Sequence, residues 1–492
     1  VTGLVGSEMC IRDSPLLNNV VVNVEDRGRT WTVWGEAMEE WMKPIDSGPK
    51  PGPDAEFDVI VVGGGPGGSA AASYHAMAGS KVLLLEKEIW PRDKICGDAV
   101  GGKSLSHVAE LGVKPMIEST PHFRVDSIVF SSSDGSEVRV MLPEESFNRL
   151  EAGYALPRLQ FDYMMFKQAT EHVTSNGGSV IQGFSVTEVN VEECHDGPQI
   201  TGVKGYSGRR RDSDVRSFSA PLTIGAAGYN CPVAKTITES VFKETFRDPD
   251  HFCGGYREYW SGVKGCEGSS GPIEIHFIDE VNPGYFWIFP VSEDVVNVGV
   301  GMVVSEQRKH EGVRSSLKKM QKWITNESSR FSHRFKDAKM VEGTGKGWQL
   351  PFGSPRSSPP SFQPRRGAMA GAMCVGDSAS LVDPFTGEGI GNALVSAKLT
   401  AKFFDPKEHS GGFPSHLAED YMVELWDELG NELSNSFKLQ GLVKRKRLMS
   451  WFVRRASKKP KIGEILTEMI ASKEAQGQLY SKWFLFKTIV LP

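Results

Sequence analysis

The sequence lacks the closely spaced cysteines that are typical of disulfide-rich or zinc-binding proteins. The chain has 492 residues and seven cysteines, an odd number, and no two of them form a C-x-x-C pair. A disulfide framework or a cysteine-bound structural zinc site is therefore not expected, and we predict no metal site. Unpaired cysteines favour a reducing, intracellular compartment.

Long apolar runs and an excess of positive charge are also absent. No stretch approaches the roughly 18 consecutive apolar residues that a membrane-spanning helix requires. The formal net charge of -5 gives no general argument for nucleic-acid binding, and we expect no nucleic-acid partner. Hydrophobic residues make up 39% and charged residues 24%, as in a soluble globular protein. We therefore expect a cytoplasmic location, with membrane association as an open alternative.

The N-terminal segment lacks a basic region followed by an apolar one, so no secretory signal is predicted. The chain begins with Val1, and residues 1–14 have no clear period. We interpret residues 1–55 as an extension and linker whose native start is missing or whose first residues are partly non-native. Organelle targeting stays open for the same reason.

A strand–helix–strand pattern begins after Phe57. The continuous apolar run Asp58–Val62 is typical of a buried parallel strand, small residues follow at Ala70–Ala78, and Lys81–Glu86 is a second apolar run. Between the first strand and the helix, Gly63–Gly68 fits the G-x-G-x-x-G fingerprint of dinucleotide-binding βαβ units.

Each glycine of this fingerprint has a physical reason. Gly63 permits the tight turn, Gly65 lets the backbone approach a pyrophosphate, and Gly68 lets the helix pack closely on the sheet. Glu86 ends the second strand, where its carboxylate can accept hydrogen bonds from a ribose 2′-hydroxyl. The predicted cofactor-binding residues of this unit are Gly63, Gly65, Pro66, Gly67, Gly68, Glu86 and Lys87.

A second motif, Met373–Leu394, distinguishes FAD from NAD. A short strand leads into Gly376-Asp377, then into a turn rich in proline and glycine, then into a helix. Asp377 can accept a hydrogen bond from a ribityl hydroxyl, and the helix start can direct N–H groups at the N1/O2 edge of a flavin. The predicted cofactor-binding residues here are Gly376, Asp377, Pro384, Gly387, Gly389 and Ile390.

Together the two motifs resemble the flavoprotein group typified by para-hydroxybenzoate hydroxylase. Two more motifs resemble one branch of that group, the geranylgeranyl reductases. Pro91–Asp98 is similar to the branch's P-R-x-K-x-C-G-D stretch. Pro283–Pro290, followed after eight residues by Gly299-Val-Gly301, is similar to its Y-x-W-x-F-P…G-x-G signature. The resemblance covers roughly residues 57–404.

The resemblance implies an FAD-dependent oxidoreductase that saturates C=C bonds of a polyprenyl chain by hydride transfer. The alternative is a flavin-dependent monooxygenase or halogenase of the same fold, since halogenases carry a W-x-W-x-I-P motif similar to residues 285–290. A flavin-binding membrane or assembly factor without enzymatic activity is a third possibility. The resemblance also places five more residues beside FAD: Arg92, Cys96, Gly97, Arg158 and Gly228.

The implied fold class is α/β with α+β character. A Rossmann-like FAD-binding domain (56–125, 150–235 and 365–410) is interleaved with an antiparallel-sheet substrate domain (126–149 and 236–364), and a helical, basic region (411–492) follows. The pattern predicts strands and helices in these regions, among them strands at Val180–Val191 and Leu222–Gly225 and a helix at Arg158–Ser175.

Tyr285, Trp287 and Phe289 alternate along one predicted strand and therefore share a face. An aromatic face over a flavin would form a long apolar pocket suited to an isoprenoid or another long apolar substrate, whereas a plain sheet core is the alternative. Cys96 lies near Lys94, a cation that could lower its pKa. We predict catalytic roles for Cys96, Tyr285 and Trp287; proton donation, pocket lining and simple burial stay open for Cys96.

Residues Lys438–Lys461 contain ten lysines and arginines and no acidic residue. Apolar residues, including Trp451 and Phe452, are interleaved with them. The segment is typical of a basic amphipathic helix that lies on an anionic membrane. Holding a diphosphate headgroup or forming a solvated surface are the alternatives.

We expect the electron donor to be NADPH or a reduced carrier protein, with the choice left open, and one departure from the family pattern bears on it. Ala227 stands where the group usually has the aspartate of an Asp-Gly pair, and in the hydroxylases that aspartate is linked to NADPH handling. No second glycine fingerprint for NADPH is present.

We therefore expect NADPH to reduce the bound flavin slowly, and a small reduced carrier protein or a chemical reductant to act faster. Stopped-flow measurement of flavin bleaching with each donor tests this prediction. Bleaching by NADPH at the rate of turnover would contradict it.

Overall fold

The computed structural model describes residues 43–52, 54–142, 153–208, 214–356 and 365–458. Most of the predicted N-terminal extension and the tail after residue 458 lie outside the described residues. The strands, in chain order, are β1 Val59–Val62, β2 Val82–Glu86, β3 Ala99–Val100, β4 Phe123–Ser131, β5 Glu137–Met141, β6 Tyr154–Ala155, β7 Ser179–Gln182, β8 Phe184–Cys194, β9 Gly197–Ser207, β10 Val215–Ser219, β11 Leu222–Gly225, β12 Phe252–Ser261, β13 Ser270–His276, β14 Gly284–Pro290, β15 Val295–Val303, β16 Lys339–Met340, β17 Lys346–Pro351, β18 Ala368–Met369 and β19 Ala372–Cys374.

The α-helices alternate with these strands in the first half of the chain and dominate its end. They are α1 Pro66–Met77, α2 Ser104–Glu110, α3 Lys114–Glu118, α4 Arg158–Ser175, α5 Pro232–Lys235, α6 Val304–Gln307, α7 Leu317–Asn326, α8 Ser332–Phe335, α9 Ile390–Lys402, α10 Ser415–Val443 and α11 Lys446–Lys458.

A six-stranded sheet forms the predicted nucleotide-binding core. Its order is β18-β19-β11-β1-β2-β7, and the neighbouring strands from β19 to β7 run parallel. Every residue of β1 and β2 is buried, as expected for central strands covered by helices. Helix α1 packs against both α4 and α9, so the glycine turn before α1 and the start of α9 are brought together.

A second, larger sheet has the order β16-β12-β15-β14-β13-β4-β6-β3, with β17 paired to β12 and β5 paired to β4. Its pairs are antiparallel apart from β13 and β4, which run parallel, so the expected antiparallel sheet is in fact mixed. Three further strands, β8 to β10, form a small antiparallel sheet.

Alternation along β14 is confirmed. Trp287 and Phe289 are buried on one face of the large sheet, whereas Phe286 and Ile288 are buried on the other with residues of α7. Opposite Trp287 on β15 lies Gly299, and a Cβ there would overlap the indole ring. Because the first glycine of the G-x-G signature has no side chain, it leaves the space that the Trp287 ring occupies.

Strand β11 and helix α4 have the predicted boundaries, but the predicted strand Val180–Val191 is divided into β7 and β8. Gly183 lies between them with φ +71°, a left-handed conformation that breaks an extended strand. Strands β3, β4 and β6 of the large sheet begin within segments assigned to the FAD-binding domain. The division into domains stays a prediction.

Candidate functional site

The turn between β1 and α1 has the geometry that a dinucleotide requires. Gly63 has φ +108°, and a Cβ at this position would lie 2.6 Å from the Ala226 carbonyl oxygen. A Cβ on Gly68 would overlap the Gly63 carbonyl oxygen, so glycine permits the close packing of helix on strand. A Cβ on Gly65, by contrast, would meet only Arg92 Nη2, at 3.4 Å, so the backbone is accessible there.

Glu86 lies at the end of β2, as predicted for the ribose acid. Its Oε2 accepts a hydrogen bond of 2.6 Å from the Gly64 N–H, and its Oε1 accepts one of 2.8 Å from the Glu88 N–H. These bonds fix the carboxylate beside the glycine turn. Lys87 is exposed at the rim of the same site.

Arg92 and Arg158 share one buried carboxylate. Arg158, the first residue of α4, donates from Nε to Asp162 Oδ1 at 2.5 Å and from Nη2 to Oδ2 at 2.8 Å. Arg92 donates to the same Oδ2 at 2.8 Å. Burial would raise the pKa of Asp162, but the two guanidinium groups hold it below its usual range. The cluster keeps one positive charge in excess close to the accessible backbone of Gly65.

A cation in contact with Cys96 is Arg158, whereas the predicted influence of Lys94 on Cys96 stays a prediction. Burial disfavours the charged guanidinium, but contacts with Asp162 and Cys96 raise the pKa of Arg158. The Nζ of Lys94 lies 3.4 Å from Asp377 Oδ2 in the second motif.

Asp98 connects the loop of Cys96 to the large sheet. It is fully buried and accepts hydrogen bonds from the Tyr259 hydroxyl and from Asn297 Nδ2, the latter at 2.7 Å. Asn297 Nδ2 also donates to the Cys96 carbonyl at 2.7 Å, and Asn297 Oδ1 accepts from the Trp287 indole N–H at 2.8 Å. Burial raises the pKa of Asp98 to about 6, although Arg257 and these donors oppose the shift.

The second motif meets the aromatic strand. The hydroxyl of Tyr285 donates a hydrogen bond to the Thr386 carbonyl, and a Cβ on Gly387 would lie 2.8 Å from that hydroxyl oxygen. Gly387 has φ +76°, so glycine is required by both conformation and space. Gly389 is the N-cap of α9, whose first N–H groups face this turn.

These parts surround one cavity with a volume of about 2020 Å³. Every residue predicted for catalysis or cofactor binding lines it except Gly68, which lies behind the turn. From the cofactor motifs the cavity continues along the aromatic face of β14 into an apolar region. That region is lined by Val125, Ile128, Phe130, Leu142, Leu159, Ile273, Ile275, Phe277, Phe385 and Val443.

The cofactor half of the cavity fits FAD. Accessible backbone at Gly65, the N-terminus of α1 and the excess charge of Arg92 suit a pyrophosphate, and Glu86 and Asp377 offer acceptors for ribose and ribityl hydroxyls. Gly228, with φ +72°, is held by a hydrogen bond of 2.9 Å from its N–H to Ser378 Oγ, next to Asp377.

Comparison with known proteins agrees with this geometry. The profile of the geranylgeranyl reductase catalytic domain matches residues 259–344, and an FAD-binding domain profile matches residues 56–252. The chain thus contains a match to the catalytic domain of the geranylgeranyl reductases and a match to an FAD-binding domain, and it resembles that family of FAD-dependent oxidoreductases. It is therefore a flavoenzyme whose cofactor is FAD.

Two relatives illustrate the similarity. A menaquinone reductase of Mycobacterium tuberculosis is 28% identical over 379 residues, covering 75% of this chain and 81% of the relative. A digeranylgeranylglycerophospholipid reductase of Picrophilus torridus is 25% identical over 420 residues, covering 85% and 90%.

Solved structures share the fold. A geranylgeranyl bacteriochlorophyll reductase-like protein of Thermoplasma acidophilum superposes with a TM-score of 0.64 at 20% identity, covering 88% of this chain and 98% of that one. A variant of the flavin-dependent brominase Bmp2 superposes with a TM-score of 0.63 at 17% identity, covering 87% and 99%.

Sequence reasoning missed several residues that shape the site. Asp98 was part of a quoted motif but was not assigned a role, and Asn297 is a polar residue in the otherwise apolar strand β15, a signal that could have been used. Glu388, like Asp98, lies within a motif that the sequence analysis used but was not assigned a role, whereas Arg257 gave no such signal. Within the described ranges, no cluster of three or more His, Cys, Asp or Glu side chains could hold a metal ion.

Replacing Gly65 with valine should weaken FAD binding at least about 100-fold, or roughly 2.7 kcal/mol, because the side chain would occupy the place of the pyrophosphate. The measurement is FAD released on denaturation of the purified protein. Gly411→Val is the control, since a Cβ there has open space and its φ is not left-handed. Recovery of only NAD or FMN from the parent would contradict the assignment.

Proposed function

We propose that the enzyme saturates C=C bonds of a polyprenyl chain. The observation that carries this proposal is the continuity of the cavity, which begins at the flavin motifs and ends in a long region lined by aliphatic and aromatic side chains. A pocket of this shape buries an extended hydrocarbon without unsatisfied polar groups. The relatives are named for a quinone and for a geranylgeranyl phospholipid, which supports a lipid substrate.

In this proposal the chain's own residues position the double bond and exclude water. Tyr285, Trp287 and Phe289 form the aromatic wall, and the hydrogen bond from Trp287 to Asn297 holds the indole ring in place. Cys96 lines the same cavity and contacts Arg158. Reduced FAD, when bound, supplies the hydride.

A flavin-dependent monooxygenase or halogenase is the second candidate. It is favoured by the likeness of residues 285–290 to the halogenase motif and by the brominase that shares the fold. At 17% identity that likeness concerns the fold alone. The two functions differ in their need for oxygen.

Membrane contact is a further part of the proposal. None of the described helices combines the length and apolar character needed to cross a membrane. Helix α11, which carries much of the basic segment, packs beside the apolar end of the cavity: Val453 and Ala456 are buried against Val138, and Phe130 contacts this cluster while lining the cavity. A lipid that enters at this end would leave an anionic membrane next to α11.

Part of the apolar face of α11 therefore packs against the protein itself. Fewer apolar side chains of this helix are left to contact a membrane than the sequence alone predicts. Trp451 remains 40% exposed. Arg454 is paired with Asp134, and Lys444 Nζ lies 2.9 Å from Glu306 Oε1. The exposed basic side chains and Trp451 are therefore the groups that would contact lipid.

Anaerobic incubation of the enzyme with chemically reduced flavin and a prenylated lipid should yield product heavier by two hydrogens for each bond saturated, as measured by mass spectrometry. Ile275→Trp should lower kcat/KM for long chains about tenfold by narrowing the apolar region, while Ile275→Val changes it little. FAD content is the control for both variants. Product that forms only with oxygen would support the monooxygenase or halogenase instead.

Neutral replacements of Lys444, Arg445, Lys446 and Arg447 should reduce co-sedimentation with anionic liposomes, because each lysine or arginine near such a surface contributes about 1 kcal/mol. Binding by the parent should weaken as salt shortens the Debye length from about 10 Å at 0.1 M to about 3 Å at 1 M.

The matched control neutralises four exposed lysines elsewhere: Lys318, Lys319, Lys322 and Lys336. FAD content should be unchanged in both variants. Equal sedimentation of the parent and the α11 variant, on anionic and neutral liposomes alike, would rule this segment out as the anchor.

A further inference from the structure

Only one of the two carboxyl oxygens of Glu388 has a hydrogen-bond partner among the described residues. Glu388 lies in the turn between Asp377 and α9 and lines the cavity. Its Oε1 accepts a hydrogen bond of 2.5 Å from the Gly391 N–H, at the start of α9. Its Oε2 is shielded from solvent and has no hydrogen-bond partner among the described residues. A shielded oxygen without a partner is costly, so its place on the cavity wall points to a role toward a bound molecule.

The surroundings of Glu388 set its protonation. Lys103 approaches from the start of α2, Asp383 belongs to the same turn, and Glu432 comes from α10. Burial raises the pKa of Glu388 to about 7; Lys103 opposes the shift, and the carboxylates of Asp383 and Glu432 add to it. The carboxyl is therefore protonated below neutral pH and can release its proton near neutrality.

Lys103 and Glu432 connect the surroundings of Glu388 to the solvent. Lys103 packs with its aliphatic stem against Gly391, and its Nζ lies 2.8 Å from Glu432 Oε2. Both side chains are partly exposed, at 17% for Lys103 and 25% for Glu432. Glu388 thus lies between the interior of the cavity and a charged mouth that can exchange protons with water.

Two other cavity-lining groups are less suited to donating a proton. The Tyr285 hydroxyl already donates to the Thr386 carbonyl, and burial raises its pKa far above neutrality. Cys96 contacts the Arg158 guanidinium in the cofactor half. Glu388 combines a free oxygen, a place on the cavity wall and a path for reprotonation.

We infer that Glu388 donates the proton that completes saturation of the double bond, an inference that rests on the proposed function. In this step the π bond is lost and two C–H bonds form. One carbon receives a hydride, with its electron pair, from the reduced cofactor, and the other receives the proton of Glu388. The carboxylate that results regains a proton through Lys103 and Glu432, and an external donor, NADPH or a reduced carrier protein, restores the reduced cofactor.

Glu388→Gln tests this role. The glutamine can still accept the Gly391 hydrogen bond through its amide oxygen, but it has no acidic proton. With chemically reduced holoenzyme, the single-turnover rate of saturation should fall at least about 100-fold, within the range that proton-transfer catalysis contributes. The rate of the parent should fall as pH rises through about 7, where Glu388 loses its proton, and this step should be absent from the variant.

A second measurement does not depend on turnover. Infrared difference spectra of the oxidised holoenzyme, taken about one pH unit below and above the midpoint of Glu388, should show the carbonyl band of a protonated carboxyl disappearing. The band should be missing from Glu388→Gln. Glu419→Gln, an exposed position on α10, is the matched control and should behave as the parent in both measurements.

The outcomes separate the two proposals. If the parent saturates a prenylated lipid and Glu388→Gln does so at the same rate with the same pH profile, the inference about Glu388 is overturned and the proposed function stands. A slow variant that has also lost its FAD would overturn the inference too, because the role would then be structural. If the parent forms no saturated product, both proposals fail.

Discussion

The buried carboxylate of Asp98 is the interaction on which the rest of the site depends. It accepts hydrogen bonds from Tyr259 of β12, from Asn297 of β15 and from the Arg158 N–H at the start of α4, the last at 3.2 Å. A fully buried carboxylate is costly unless such donors surround it. Because two donors come from the large sheet and the third from helix α4, which packs on α1 of the nucleotide-binding core, Asp98 fixes the loop of Cys96 between the cofactor half and the aromatic strand.

The charges around this loop divide the cavity into two environments. The single carboxylate of Asp162 forms ion pairs with two guanidinium groups, those of Arg92 and Arg158. The cofactor half therefore keeps one positive charge that a pyrophosphate can neutralise. A few residues further along the same loop, Gly97 lies against Phe289, and a Cβ there would come within 2.9 Å of the ring. The arginine of this loop would therefore face the anionic part of the cofactor, whereas its glycine lies against the aromatic wall of the apolar region.

Sequence reasoning succeeded where local rules decide. The glycine fingerprint, the strand–helix–strand unit and the alternation of β14 follow from backbone sterics and side-chain period, which act over a few residues. It failed where partners are distant: Asn297 and Asp98 are 199 positions apart, and Lys94 meets Asp377 across 283 positions. Likewise, the sequence indicated an amphipathic α11 but could not reveal that its apolar side would cover Val138.

The turn before α9 must satisfy two demands. Its helix N-terminus is expected to face the flavin edge that becomes negative on reduction, and a charged carboxylate beside that edge would oppose the change. Burial holds Glu388 largely protonated below about pH 7, so the turn can keep an acid here without placing a second negative charge next to the cofactor. Lys103, which opposes the shift, keeps the carboxyl acidic enough to ionise near neutral pH. In the proposed reaction, the balance between burial and Lys103 would join the stabilisation of reduced flavin to the supply of a proton at one position in the fold.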